Sequence, residues 1–499
     1  MLKADKYWIN FLRLALLLLF LAGCAPAQPA NQGAGSSAAR LPLSDCQLVM
    51  PGFPTRVSAQ CGTLEVAENP QAPAGRKIRL NVAVVKAQSS DPAADPVFLL
   101  AGGPGQAATQ AYTPLIGSLA NIRFKHDLVL IDQRGTGQSN PLACEQSPKP
   151  GEPIGRETSP AQVAADYRAC LAQWDADTRF YTTAYFVNDL EAARLALGYG
   201  QIDLLGISYG TRAALAYLKA YPANVRAFVI DGVVPPAWVL GQTVNQDADR
   251  TMQMLLARCQ AQPGCAAAFP DLAGDLDRLL RRLQQHSETL TIPAPLTGKD
   301  LQVELSDHVA AAMLRTISYS SDYSALVPVL IHTAANGDLR PLAAQYALAD
   351  GRESTVFGGL YYAVTCSEDT PFVLDLPPSS ALYSFNILET QRAVCAEFPS
   401  VPQPEAERTF PTLNTPGLII SGEADPVTPP ANGDAAARLL PNAKHIILKG
   451  MGHSNVIEGC LPNLVRQLFE EGTSAKIDPE CIQRVVPAPF FTTLTGPEP

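Results

Sequence analysis

The sequence predicts an α/β fold: a mostly parallel sheet, with a mainly helical cap inserted before the last core strands. Three observations predict it. Short, largely apolar runs at Val97–Leu100, Leu128–Ile131, Ile202–Leu205 and Ala227–Ile230 read as strands buried on both faces, as parallel strands are. Helical spacing lies between them, with Phe186, Leu190, Ala193 and Leu197 on one stripe and Gly198 as a stop. The alternation ceases near Pro235 and resumes at Gly417–Ser421.

The N-terminus stands outside this pattern. Lys3, Lys6 and Arg13 flank an apolar run from Leu14 to Ala22, too short for a normal membrane span. It reads as a secretory signal over 1–23. Its end, Leu21-Ala22-Gly23-Cys24, resembles a bacterial lipobox, which implies cleavage before Cys24 and lipidation of that cysteine. Several acyl chains would anchor the protein stably to a membrane. Ala25, rather than Asp, resembles the outer-membrane sorting signal of two-membrane bacteria. Residues 24–45, rich in Ala, Gln, Gly, Pro and Ser, read as a flexible tether. The expected place is outside the cytoplasm, at the cell envelope.

Composition narrows the partners. A net charge of -10 and the lack of a basic stripe argue against nucleic acid. Beyond Cys24, ten cysteines remain of eleven. They fall in neighbouring couples: Cys46/Cys61, Cys144/Cys170, Cys259/Cys265, Cys366/Cys395 and Cys460/Cys481. In an exported chain local pairing is the simplest expectation, although sequence leaves connectivity open. No couple has zinc-site spacing with histidines nearby, so no metal is expected.

Residues 46–235 then read as the first part of the core. Ile78, Leu80, Val82 and Val84 alternate onto one strand face. Residues 140–180 look loop-rich. Residues 236–410 read as the cap, helical around Met252 and Leu255, around Leu276 and Leu279, and over 306–349. Residues 411–499 complete the core, with strands at Gly417–Ser421 and Lys444–Leu448.

Loops with special chemistry follow the strands. Gly206-Ile207-Ser208-Tyr209-Gly210 joins a strand to a helix, the context of a nucleophile elbow. A serine nucleophile needs a base, and the base needs an acid to orient it. Of six histidines, His453 alone sits in a glycine-rich loop after a core strand and downstream of an acid. Asp425 follows a strand end and precedes Pro426; Glu423 and Asp434 are its rivals. The order Ser208, Asp425, His453 is that of the α/β hydrolases. Acyl transfer also needs N–H donors for an oxyanion. Tyr209 supplies one candidate, and Gly103 of Gly102-Gly103-Pro104-Gly105 the other, with Gly102 as the alternative.

These residues, with Asp132-Gln133-Arg134-Gly135 and Gly422-Glu423-Ala424-Asp425-Pro426-Val427-Thr428-Pro429, resemble the proline iminopeptidase and tripeptidyl aminopeptidase branch of the α/β-hydrolase fold. The resemblance covers roughly 60–490. It implies a serine exopeptidase acting on peptides from a free N-terminus, without a cofactor. One departure is Ala101, where proline iminopeptidases usually carry His. Arg134 is expected to be structural, in a buried Asp–Arg pair bracing its loop.

An aminopeptidase must also meet an ammonium group with a carboxylate. Glu368 and Asp369, beside Cys366, are the first candidates; Asp247 and Asp249 are weaker ones. The same triad would serve a carboxylesterase or lipase-like ester hydrolase, which needs no such carboxylate. A non-catalytic binding protein on this fold would not need an intact triad. Oligomeric state is not legible.

Overall fold

The computed structural model describes residues 40–144, 151–353, 356–375 and 385–496. The expected leader over 1–23 and Cys24 lie outside them. Among the described residues no helix is long and apolar enough to cross a membrane.

Eleven strands are described: β1 Ser44–Val49, β2 Arg56–Ala67, β3 Lys77–Val85, β4 Val97–Leu100, β5 Leu128–Ile131, β6 Ile202–Ile207, β7 Val225–Asp231, β8 Glu288–Pro293, β9 Asp300–Leu305, β10 Gly417–Gly422 and β11 Ala443–Leu448. Nine of them form one sheet in the order β1-β2-β3-β5-β4-β6-β7-β10-β11. From β5 to β11 all neighbours are parallel; β1, β2 and β3 run antiparallel at the other edge. The parallel strands are short because they are covered twice. Every residue of β4 and β5 is buried, and each such Leu or Val side chain contributes about 1.5–3 kcal/mol by leaving water. The sheet's two apolar layers include Leu99, Leu130 and Leu205 on one face, and Phe98, Leu204 and Phe228 on the other.

Between β7 and β10 the chain builds the cap. Helices Val244–Ala261, Leu272–Gln285, Asp307–Ile317 and Val327–Ala335 pack around a core of their own that holds Leu255, Leu279, Leu314 and Leu330. Core and cap nonetheless belong to one compact unit, Leu41–Pro499.

Two expectations gain detail. The cap also contains an antiparallel β8–β9 hairpin, whose half-exposed, alternating residues gave too short a signal beside the helices. The loop-rich stretch 140–180 also holds helix Pro160–Leu171. That helix packs on Ile387–Cys395, with Arg168 bridging to Glu397 at 2.7 Å. A second excursion of the chain therefore joins the cap. Its apolar face is broken by Ala and Tyr, which hid the period.

Five disulfides are present among the described residues: Cys46–Cys61, Cys144–Cys170, Cys259–Cys265, Cys366–Cys395 and Cys460–Cys481. Cys366–Cys395 ties helix Gly358–Glu368 to helix Ile387–Cys395 within the cap.

Candidate active site

The site lies at the C-terminal ends of the parallel strands, where an open α/β sheet builds its ligand sites. β6 ends in a turn, and helix Tyr209–Ala220 leaves it at once. Ser208 is the hinge, with φ 58° and ψ -127°. This is a left-handed conformation that costs a non-glycine residue of order 1–3 kcal/mol and marks functional sites. The flanking glycines are sterically required. A Cβ on Gly206 would lie 2.5 Å from the Gly210 carbonyl oxygen, and one on Gly210 only 2.0 Å from that of Leu100.

β7 supplies the floor. Its last residue, Asp231, accepts the Ser208 N–H through its carbonyl at 2.9 Å. The next residue, Gly232, has φ +67°, and a Cβ there would meet His453 Cε1 at 2.7 Å. Serine and histidine thus lie on either side of one peptide unit. The Asp231 carboxylate, wholly buried, accepts the N–H groups of Asn455 and Val456 at 2.5 and 2.7 Å. It therefore pins the turn that follows His453. Burial pushes its pKa up to about 7.

β10 and β11 bring the other partners. Asp425 is completely buried. Its Oδ1 accepts the N–H groups of Val427 and Thr428 at 2.8 and 2.9 Å. Its Oδ2 lies 2.7 Å from both Thr428 Oγ1 and His453 Nδ1. Burial would raise the Asp425 pKa, but the His453 charge and these hydrogen bonds outweigh it and hold it low. Burial would lower the His453 pKa; the Asp425 charge and hydrogen bond reverse the sign and raise it. Among the described residues no hydrogen bond joins Ser208 Oγ to His453, which suits a hydroxyl awaiting substrate. Both rivals of Asp425 are engaged elsewhere. Glu423 accepts the Gly450 N–H at 2.9 Å, and Asp434 binds His445 at 2.9 Å.

The Gly102–Gly105 loop crosses above the serine. A Cβ on Gly102 would sit 3.1 Å from Ser208 Cβ, and Gly103 adopts φ +106°. Tyr209 begins the elbow helix, so its N–H faces the same side of the turn as its companions at a helix N-terminus.

The cap closes on these loops. The Phe357 N–H donates to the Gly105 carbonyl at 2.9 Å. Arg250 donates to the carbonyls of Glu423 and Asp425 at 2.7 and 2.5 Å. The His453 N–H donates to the Tyr319 carbonyl at 2.6 Å, and the Tyr319 ring stands edge-on to the imidazole at 5.5 Å.

One expectation is corrected. Glu368 and Asp369 do not present free carboxylates to a substrate. Both are at most 1% exposed. Glu368 accepts the Thr183 N–H and hydroxyl at 2.6 and 2.8 Å. Asp369 grips Arg212 at 3.0 and 3.2 Å and accepts the Leu240 N–H at 2.9 Å. Burial pushes the Glu368 pKa up to about 7. Arg212 lies four residues beyond Ser208 on the elbow helix, so these acids lock the cap's helix Gly358–Glu368 to the nucleophile's helix. The Tyr209 hydroxyl joins the same network through Thr183 at 2.7 Å and Gln133 at 3.1 Å. Glu368 also borders a groove of about 480 Å³ that no triad residue lines.

Arg134 is buried and structural, as expected, and the aspartate of its pair is Asp189, at 2.6 and 2.7 Å. Asp132 is already filled by Asn81 and Thr109, whose donors lie at 2.8–2.9 Å, leaving Arg134 to reach the neighbouring helix.

A cluster of Asp95, His126 and Asp203 has the donor types of a metal site. It lies at the opposite, N-terminal ends of the strands. Arg226 already occupies Asp95 and Asp203 at 2.7 and 2.6 Å, so the cluster carries its own cation.

Comparison with known proteins adds names to this arrangement. A family profile described as the alpha/beta hydrolase fold matches residues 95–264, and one described as TAP-like protein matches residues 383–481. The chain is 25% identical to the serine protease Hip1 of Mycobacterium tuberculosis over 530 aligned positions, covering 96% of this chain and 98% of that one. It is 28% identical to the tripeptidyl aminopeptidase of Streptomyces coelicolor over 36% of each chain. It is 32% identical to YuaR of Escherichia coli, where the match spans only 28% of either chain.

Proposed function

We propose that this chain, which belongs to the α/β-hydrolase peptidases, is an exported serine aminopeptidase that releases residues from the free N-terminus of short peptides. The observation that carries the reading is the buried Asp425–His453 pair, 2.7 Å apart, set beside a serine on a strained elbow. End-to-end similarity to a protein named as a serine protease supports a peptide substrate.

The chemistry follows from the positions. Ser208 attacks the carbonyl carbon, and His453 takes the hydroxyl proton on Nε2 while Asp425 stabilises the imidazolium through Nδ1. The N–H groups of Tyr209 and Gly103 receive the oxyanion. The imidazolium returns its proton to the leaving amine, and water, activated by the same imidazole, releases the acyl group. Asp247, on cap helix Val244–Ala261, takes over from Glu368 and Asp369 as the acid for the substrate ammonium. It is less deeply buried than those two, at 8% exposed, it accepts a hydrogen bond from the Thr243 hydroxyl at 2.7 Å, and the charges of Arg250, Asp425 and Arg315 act on it, which supports a place near the triad acid. Lipidation of Cys24 would hold the enzyme at the envelope.

The test is a panel of free and N-acetylated peptide p-nitroanilides beside p-nitrophenyl esters, with Ser208→Ala as control. Free peptides should be cleaved in preference to blocked ones. Equal cleavage of blocked peptides would overturn the aminopeptidase reading; ester turnover alone would favour an esterase. Cys24→Ala should release the protein from membranes, and undiminished partitioning would defeat the anchor.

A further inference from the structure

Among the described residues, the cap sets the guanidinium of Arg315 against the ring that covers His453. Arg315 lies on helix Asp307–Ile317, one turn before Tyr319, the residue that covers His453. Its guanidinium rests against the rings of Tyr319 and Phe385, 5.3 and 5.9 Å from their centroids. Its Nε is buried and has no hydrogen-bond partner.

The contrast with nearby arginines is sharp. Arg134 and Arg212 end on carboxylates and Arg250 on carbonyls. Arg315 ends on aromatic faces. Through the Tyr319 ring, which stands 5.5 Å from the imidazole, it adjoins the His453 side of the site, and its charge is felt by His453 and by Asp247. A half-buried guanidinium resting against two rings loses little further entropy on binding, and its fork matches a carboxylate.

The side of the cleft can be assigned. His453 delivers its proton to the leaving amine, so groups adjoining its ring face the leaving portion of the substrate. We propose that Arg315 binds the C-terminal carboxylate of that leaving portion, making the enzyme selective for short peptides whose free carboxylate lies close to the scissile bond. This rests on the peptidase reading and names its substrate class.

The test uses tri- to hexa-alanine as free acids and as C-terminal amides, with a p-nitrophenyl ester as a third substrate. The enzymes are wild type, Arg315→Gln and Arg315→Lys. Wild type should prefer the shortest cleavable acid over its amide by tenfold or more in kcat/KM. Arg315→Gln should raise KM for the acid by about tenfold to a hundredfold, the loss of one charge-assisted contact. Measured on each enzyme's own pH plateau, because the lost charge also acts on His453, it should lower kcat/KM for the acids at least about fivefold more than for the amides and the ester, and Arg315→Lys should recover part of the preference. Equal use of acids and amides by wild type would overturn the proposal while leaving the peptidase reading intact. So would an equal loss on all substrates in Arg315→Gln, which marks a structural role. Ester turnover with no peptide cleavage would overturn both.

Discussion

The sheet end of the active site and its cap are built on different terms. At the sheet end Ser208 and Asp425 are fixed by backbone within a few residues, and only His453 leans on remote groups, Asp231 beneath its turn and the Tyr319 carbonyl. Ser208 sits on a turn that only Gly206 and Gly210 allow, and Asp425 is held by the N–H groups of Val427 and Thr428. In the cap the groups that touch the triad loops, Arg250 and Tyr319, come from separate elements. They are placed by long-range packing and by side-chain pairs such as Arg212 with Asp369. Reaction chemistry is therefore local and rigid, whereas selectivity depends on how the cap is seated.

Substitutions can break that division. Ser208→Ala should abolish turnover, lowering kcat by about 10⁴-fold or more, with the unfolding midpoint unchanged. Single-turnover assays would check it, and residual activity near wild type would show that the elbow is not the reacting centre. Asp425→Asn should cost about 10⁴-fold in kcat. It should also move the acidic limb of kcat/KM. His453 works as a base only when neutral, and Asp425 raises its pKa. Activity in the wild type should therefore rise with pH through a midpoint above that of a free histidine, and the limb should shift to lower pH in Asp425→Asn.

Arg212→Met tests the join between the two regions. It leaves Glu368 and Asp369 buried without their cation, which should cost about 3–5 kcal/mol in urea unfolding. Adding Asp369→Leu should recover part of that loss. If the single variant is as stable as wild type, the cap is not seated through this pair. The smallest effect is expected within the cap. Replacing Cys366 and Cys395 by Ser opens a loop with a separation of 29 residues, which should cost about 3 kcal/mol. KM should change more than kcat, because the bridge lies in the cap and the triad does not depend on it.

The sequence determined the sheet and the order of its loops. β4 and β5 read as continuous apolar runs because both faces are covered, and such runs need no knowledge of their neighbours. The triad residues could be singled out for a related reason. Their positions are set by turns, and turns write themselves into sequence as glycine, proline and aspartate at fixed spacing. Asp231-Gly232 carried the same strand-end signal, and its role beneath His453 was there to be asked about.

Only the tertiary structure decided what pairs with what in the cap. Glu368 and Asp369 look in sequence like loop acids available to a substrate; folding carries Arg212 and Thr183 to them from regions more than 150 residues away. Which aspartate pairs with Arg134 is likewise decided by the fold, which brings Asp189 to it. A carboxylate's chemistry is local, but whether it is free depends on which donors arrive. That is settled by packing between elements remote in the chain, for which a single sequence holds no periodic signal.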